Sequence, residues 1–376
     1  MKIKYLIWLV GWILVAGSLR SQSGYSISLE TVRLVPHNSK FLYEPRGVGI
    51  WPQTSLFWQT SGAEYWHHVY GKPRFGLQMG LMYLGQPSEI LGWACSMYPY
   101  VDFGFWHLQK SSFRFIIGTG LAYTPKIYDI KKNPLQNALS LTINNHTTFK
   151  IQYERRINIH STLNVGLSLN HMSNGGIQLP NLGLNYLGID LVWSRTFKSQ
   201  TKELPDLEKP KTWPRWNAGA TQGFALREFR TPGGPKLPVY ILSVDFGYQY
   251  RPYMACRIGL ESEYHFVAPY FAAHTELFPD IKSAWRQGFR IQMYGSHEWI
   301  IGPLSLETRA GVQLFDLPVL GSKRVFFKLS AQYFLKIPGV KNLLWAPGVA
   351  LKTHYAVAEY VSLTSTFRIR RNNQAF

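Results

Sequence analysis

LSLETRAGVQL, Leu304–Leu314, decides the fold. Its even positions read Leu304, Leu306, Thr308, Ala310, Val312 and Leu314, and the odd positions between them read Ser305, Glu307, Arg309, Gly311 and Gln313. A helix would scatter these residues around its axis, whereas a strand sends alternate side chains to opposite faces. The same split recurs in Met254–Tyr264, where Cys256, Ile258 and Leu260 oppose Arg257, Gly259 and Glu261. It returns in Phe327–Leu335 against Lys328, Ser330 and Gln332, and in Val361–Ile369 against Ser362, Thr364, Thr366 and Arg368. Such runs exceed the ~5–6 residues of a soluble strand and match the ~9–11 that cross a bilayer with tilt. A Lys or Arg facing lipid costs several kcal/mol, so the charged parity points into a lumen and the apolar parity outward. The expected fold is all-β, an antiparallel transmembrane β-barrel.

Composition agrees. Aromatic residues make up 15% of the chain, with 22 Tyr and 13 Trp, and mean hydropathy is −0.12. Lys2 and Lys4 precede an apolar run from Tyr5 to Ala16 and then small and polar residues, which is the layout of a signal peptide over residues 1–21. That run is shorter than the ~20 residues of a membrane-spanning helix, and no later segment approaches one. The expected location is the outer membrane of a Gram-negative bacterium. Cys95 and Cys256 make no disulfide framework. The formal charge of +19 comes from scattered Lys and Arg with no nucleic-acid module, so phosphate-bearing lipopolysaccharide is the expected partner, not nucleic acid.

Link lengths organise the rest. Those near Gln109, at Arg155–Asn158 and at Arg251–Pro252 are tight, while 125–137, 174–181 and 268–282 are longer, and the long ones mark the external side. This reading gives about eight strands up to Phe197, a polar connection over 198–214, and about eight more strands over 215–376. Val349–His354 loosely echoes Val165–His171, so the second half reads as a divergent repeat. Parity alone fits one large barrel or two small ones.

One segment carries chemistry, LSLNHMSNGGIQLPNLGLN from Leu167 to Asn185. His171 and Ser173 continue the outward parity of Leu163, Val165, Leu167 and Leu169, and Asn185 shares that of Leu187, Ile189 and Leu191. Polar groups on an oily wall cost free energy unless they pair. A Ser, a His and an Asn can pair, and they can also serve as nucleophile, general base and the group that orients the base. Asn174, Gly176 and Asn181 would supply N–H donors to an oxyanion. The plainer reading is a headgroup-level loop built by Asn-Gly-Gly and Pro-Asn. His67-His68 read as interfacial, and Asp102, His160, His265 and His354 show no metal spacing.

His171-Met-Ser173-Asn174, followed by Pro180-Asn181 and Gly183, resembles the lipid A 3-O-deacylase (acyloxyacyl-hydrolase-like) family of outer-membrane barrels. Gly118–Tyr123 ahead of Asn133-Pro134 and Asn137 extends the resemblance to roughly residues 25–197, making 22–197 a deacylase-like half. The resemblance implies an eight-stranded barrel that removes an ester-linked acyl chain from lipid A without metal or other cofactor. It implies Ser173 as nucleophile, His171 as base, and Asn174 and Asn181 as oxyanion or site-shaping residues. The family's acid position, usually Glu, falls at Asn185. Asp190 nearby has lumen parity. The leading expectation is therefore an outer-membrane esterase. A catalytically silent barrel, acting as a pore or a structural component, is the alternative, and a soluble periplasmic binding protein is a third class.

Overall fold

The computed structural model describes residues 22–37, 39–197, 208–210, 213–228, 232–275, 281–315, 324–340, 342–355 and 357–370. The signal peptide expected over 1–21 and most of the connection expected over 198–214 lie outside the described residues.

The first strands are β1 (Gln22–Leu34), β2 (Gly49–Gln59), β3 (Arg74–Tyr83), β4 (Trp93–His107), β5 (Ser111–Tyr123), β6 (Ile143–Arg156), β7 (Ser161–Ser173) and β8 (Leu184–Thr196). Each pairs antiparallel with the next, and β8 returns to β1 from Gly24↔Thr196 to Leu34↔Tyr186, closing the barrel. The later strands are β9 (Trp216–Arg227), β10 (Leu237–Arg251), β11 (Met254–His265), β12 (Phe289–Ile301), β13 (Leu304–Gln313), β14 (Val325–Tyr333), β15 (Leu335–Lys336), β16 (Leu343–His354) and β17 (Val357–Arg370). Here β9 to β14 pair in order, β14 pairs β16, β16 pairs β17, and β17 pairs β9. A second eight-stranded ring therefore closes, with β15 as a short addition to β16. The chain forms two closed barrels of eight, since β1 occupies the edge of β8 that a larger barrel would need.

Parity follows the sequence pattern. Leu167 is 67% exposed on the outer wall, while Glu30 and Asp190 in the interior are 0% exposed. Oily-out and charged-in is the inverse of a soluble domain, and a contiguous apolar exterior requires hydrocarbon as its solvent. An eight-stranded barrel is only wide enough for side chains to fill it. In the first lumen, Lys150 Nζ donates to Glu30 at 2.8 Å and to Asp190 at 3.1 Å, and Gln152 donates to Asp190 at 2.7 Å. Closer to the tight links, Arg114 Nε meets Asp102 at 2.6 Å and Arg74 Nη2 meets Glu154 at 3.0 Å. The void left between these two groups is only about 30 Å³. In the second lumen, Lys352 Nζ reaches both oxygens of Glu263 at 2.7 Å, and Arg368 meets Glu298 at 2.6 Å. In β13, Arg309 Nε bonds Glu307 at 2.9 Å inside the barrel.

The two strand ends differ in their links, with the two tightest turns at one end beside the longer link 60–73. Residues 108–110 and 157–160 join strands at one end of the first barrel, while 35–48, 84–92, 124–142 and 174–183 gather at the other. The link 60–73 carries α1 (Tyr65–Val69), where His67 Nδ1 accepts the Glu64 N–H at 3.2 Å. Burial holds the His67 imidazole down at about 4, in the neutral form that this cap requires. In the second barrel, 266–288 carries α2 (Val267–Thr275) and α3 (Ile281–Arg286). At the end that carries the 124–142 and 174–183 links, Trp51, Leu91, Leu139, Met172, Leu184 and Tyr186 form an apolar plug inside the first barrel.

Candidate active site

The expected constellation sits where β7 ends and β8 begins, at the end that carries the apolar plug. Antiparallel register places His171 directly opposite Asn185 and Asn145 opposite Ser173. Outward parity holds to the end of β7, so His171 and Ser173 stand on the outer wall with Met172 turned into the plug between them. His171 Nδ1 lies 2.6 Å from Asn185 Oδ1. A carbonyl oxygen only accepts, so the proton is on Nδ1 and Nε2 keeps its lone pair. That is the tautomer a general base needs.

Gly183 explains how the pair packs. Its φ is +77°, and a Cβ there would lie 2.8 Å from His171 Cε1 and 3.4 Å from Ser173 Cβ. Only a residue without a side chain lets the backbone press against both groups in this left-handed conformation. Ser173, at 7% exposure, is shielded although its parity is outward.

The loop beyond is tied down. The Asn174 backbone N–H donates to Asn181 Oδ1 at 3.0 Å, and Asn174 Nδ2 donates to Ser140 Oγ at 3.0 Å. The Asn174 N–H therefore braces the loop, which leaves the Asn181 side-chain NH2 as the donor end of that pair. Gly176 takes a left-handed φ of +87° in the same loop. Leu182 and Gly183 donate their N–H groups to the carbonyls of Asn137 and Ala138, and His37 Nε2 donates to the Leu182 carbonyl at 3.0 Å. Asn137 Nδ2 in turn donates to the Lys40 carbonyl at 2.6 Å. Sequence reasoning missed His37 and Ser140 as supports. No spacing signal links them to the site, because their loops meet it only after the barrel closes.

Beside the site, the outer wall carries an open apolar groove of about 600 Å³, bordered by Pro52, Met79, Leu81, Met97, Leu121 and Tyr123 over the bare backbone of Gly80. Leu121 lies opposite Asn145, which lies opposite Ser173. Groove and serine are thus two strand spacings apart, roughly 10 Å. Asp190 lies in the lumen, bonded to Lys150 and Gln152, and cannot replace Asn185. Among the described residues no three His, Cys, Asp or Glu side chains gather into a metal-binding group, and Cys95 and Cys256 are both exposed and unbridged.

Residues 47–194 match the lipid A 3-O-deacylase (PagL) family model. The deacylase match runs from the loop before β2 almost to the end of β8 and contains His171, Ser173, Asn174, Gly176, Asn181, Gly183 and Asn185. The second barrel lies outside it. Together with the oily outer wall, the deacylase match puts the chain in a Gram-negative outer membrane.

Among similar solved structures, that of the outer membrane enzyme PagL is 15% identical, with 44% of this chain and 97% of that chain covered and a TM-score of 0.33. A mutant of the TodX monoaromatic hydrocarbon channel is 7% identical, covering 94% of this chain and 90% of that one at a TM-score of 0.17. A triple mutant of the Rhodopseudomonas blastica porin is 9% identical, covering 93% and 99% at a TM-score of 0.17. Likeness at these scores carries no weight for function. No curated protein matches the sequence.

Proposed function

We propose that this chain is an outer-membrane esterase that removes an ester-linked acyl chain from lipid A or a similar glycolipid, with Ser173 as nucleophile and His171 as base. The observation that carries this reading is the 2.6 Å bond from His171 Nδ1 to Asn185 Oδ1, beside a serine on the lipid-facing wall of a deacylase-matched barrel. Ser173 Oγ adds to the ester carbonyl while His171 Nε2 takes its proton. The oxyanion is held by the side-chain NH2 of Asn181, whose Oδ1 is already engaged by the Asn174 N–H. Collapse expels the sugar oxygen, which takes the proton back from His171 and leaves an acyl-serine. Water activated by His171 then cleaves that ester and releases the fatty acid. The apolar groove receives the acyl chain, and the outer wall gives the enzyme access to a substrate that never leaves the membrane.

The decisive experiment is mass spectrometry of lipid A from cells with and without the protein. An identical profile would overturn the proposal. Two variants refine it. Asn185 fixes the right tautomer but carries no charge to stabilise the imidazolium. An Asp at this half-buried place adds that charge within about 4 Å, so Asn185→Asp should raise kcat roughly 10–100-fold. A lower rate would mean that the amide has a role of its own. Gly183→Ala forces a Cβ against His171 in a left-handed backbone. It should reduce kcat at least tenfold while heat-modifiability persists, on the scale of a displacement of about 1 Å at a reacting group.

A catalytically silent structural barrel is the second reading, favoured by the Asn at the acid position and by a charged, side-chain-filled second lumen. It requires lipid A to be identical with wild-type protein and with Ser173→Ala.

A further inference from the structure

Polar residues on the outer wall do not stop at the pair on β7. Register aligns Thr119 of β5, Thr147 of β6, His171 of β7 and Asn185 of β8 in one row across four strands. Asn145 stands in the next row, opposite Ser173. Elsewhere this face is oily: Leu121, Phe149, Leu169 and Leu187 are all exposed around the polar island.

Thr119, Asn145 and Thr147 form a closed hydrogen-bonded ring. Asn145 Nδ2 donates to Thr119 Oγ1 at 2.9 Å and to the Gly120 carbonyl at 3.1 Å, which fixes the orientation of the amide. Thr147 Oγ1 donates to Asn145 Oδ1 at 2.7 Å. With that proton used, the 2.8 Å contact between the hydroxyls requires Thr119 to donate to Thr147. Both hydroxyl protons and both amide protons are then engaged within the wall. The oxygens of Thr119, Thr147 and Asn145 each accept one bond from the ring and keep acceptor capacity. The ring of Thr119, Asn145 and Thr147 presents acceptors and no donor.

We infer that Thr119, Asn145 and Thr147 form a polar subsite that accepts a hydrogen bond from a hydroxyl or amide N–H of an acylated amino sugar, beside the ester that Ser173 attacks. The inference rests on the proposed esterase reading and adds to it the substrate feature that is recognised. The second lone pairs of these oxygens face an oily wall where only a ligand's donor can use them, and the polar part of a glycolipid carries such donors. The ring lies between the apolar groove and Ser173, so an acyl chain in the groove would carry its sugar-proximal end past it. A simple fatty-acid ethyl ester has neither donor.

The test uses the full chain, refolded in detergent and checked for heat-modifiability. Thr119→Val/Thr147→Val and Asn145→Leu should each lower the preference in kcat/KM for lipid A over a fatty-acid ethyl ester by about tenfold. Thr119→Ser/Thr147→Ser, which keeps both hydroxyls, should restore it. An unchanged preference, or an equal loss on both esters, overturns the subsite while leaving Ser173 as nucleophile. Lipid A binding to Ser173→Ala protein, read by native mass spectrometry, gives a second measure independent of catalysis. If no ester is cleaved at all, the esterase reading fails, and weaker binding on ring substitution still upholds the subsite. Unweakened binding overturns it.

Discussion

Ser173→Ala should abolish deacylation of lipid A, with a fall in kcat of up to about 10⁶-fold, the size of the loss when the nucleophile of a Ser-His site is removed. Folding should survive, because the exchange deletes one hydroxyl at the end of β7 and leaves the antiparallel ladder to β6 and β8 intact. The measurement is release of fatty acid from purified lipid A by the refolded variant, beside a gel assay of heat-modifiability. A folded variant with undiminished release would remove Ser173 from the chemistry. His171→Ala should behave alike, and the double variant should lose little more than either single one, since nucleophile and base act as a unit.

The second large effect lies in the lumen. Lys150 Nζ bridges Glu30 and Asp190 in the middle of the first barrel, where all three side chains are nearly inaccessible. Lys150→Met keeps much of the volume but leaves two carboxylates without their shared cation. Removing one partner from a buried ion pair costs about 3–5 kcal/mol. The urea midpoint of the loss of heat-modifiability should therefore fall sharply. Adding Glu30→Gln and Asp190→Asn should recover part of that loss, because coupled neighbours are not additive. A midpoint unchanged by Lys150→Met would show that water reaches this network freely.

Much of the candidate site's geometry was legible because its residues are close in sequence. His171, Ser173 and Asn185 lie across a single β7–β8 connection, so strand parity places all three on one face, and antiparallel return sets Asn185 opposite His171. Their supports were hidden. His37 and Asn137 reach Leu182 from two other loops, and Ser140 reaches Asn174 across the same loop cluster. Thr119 and Thr147 read as ordinary outward strand residues until register puts them in the row of His171.

The amino-acid pattern by itself determined that this chain makes strands, which face of each meets lipid, and on which face His171 and Ser173 stand. These follow from a two-residue repeat and from the cost of charge in hydrocarbon, both of which act residue by residue. Only tertiary structure decided that the strands close as two rings of eight, with β8 returning to β1 and β14 passing over β15 to pair with β16. Closure depends on which distant edges share hydrogen bonds, and alternation within a strand carries no information about its neighbour.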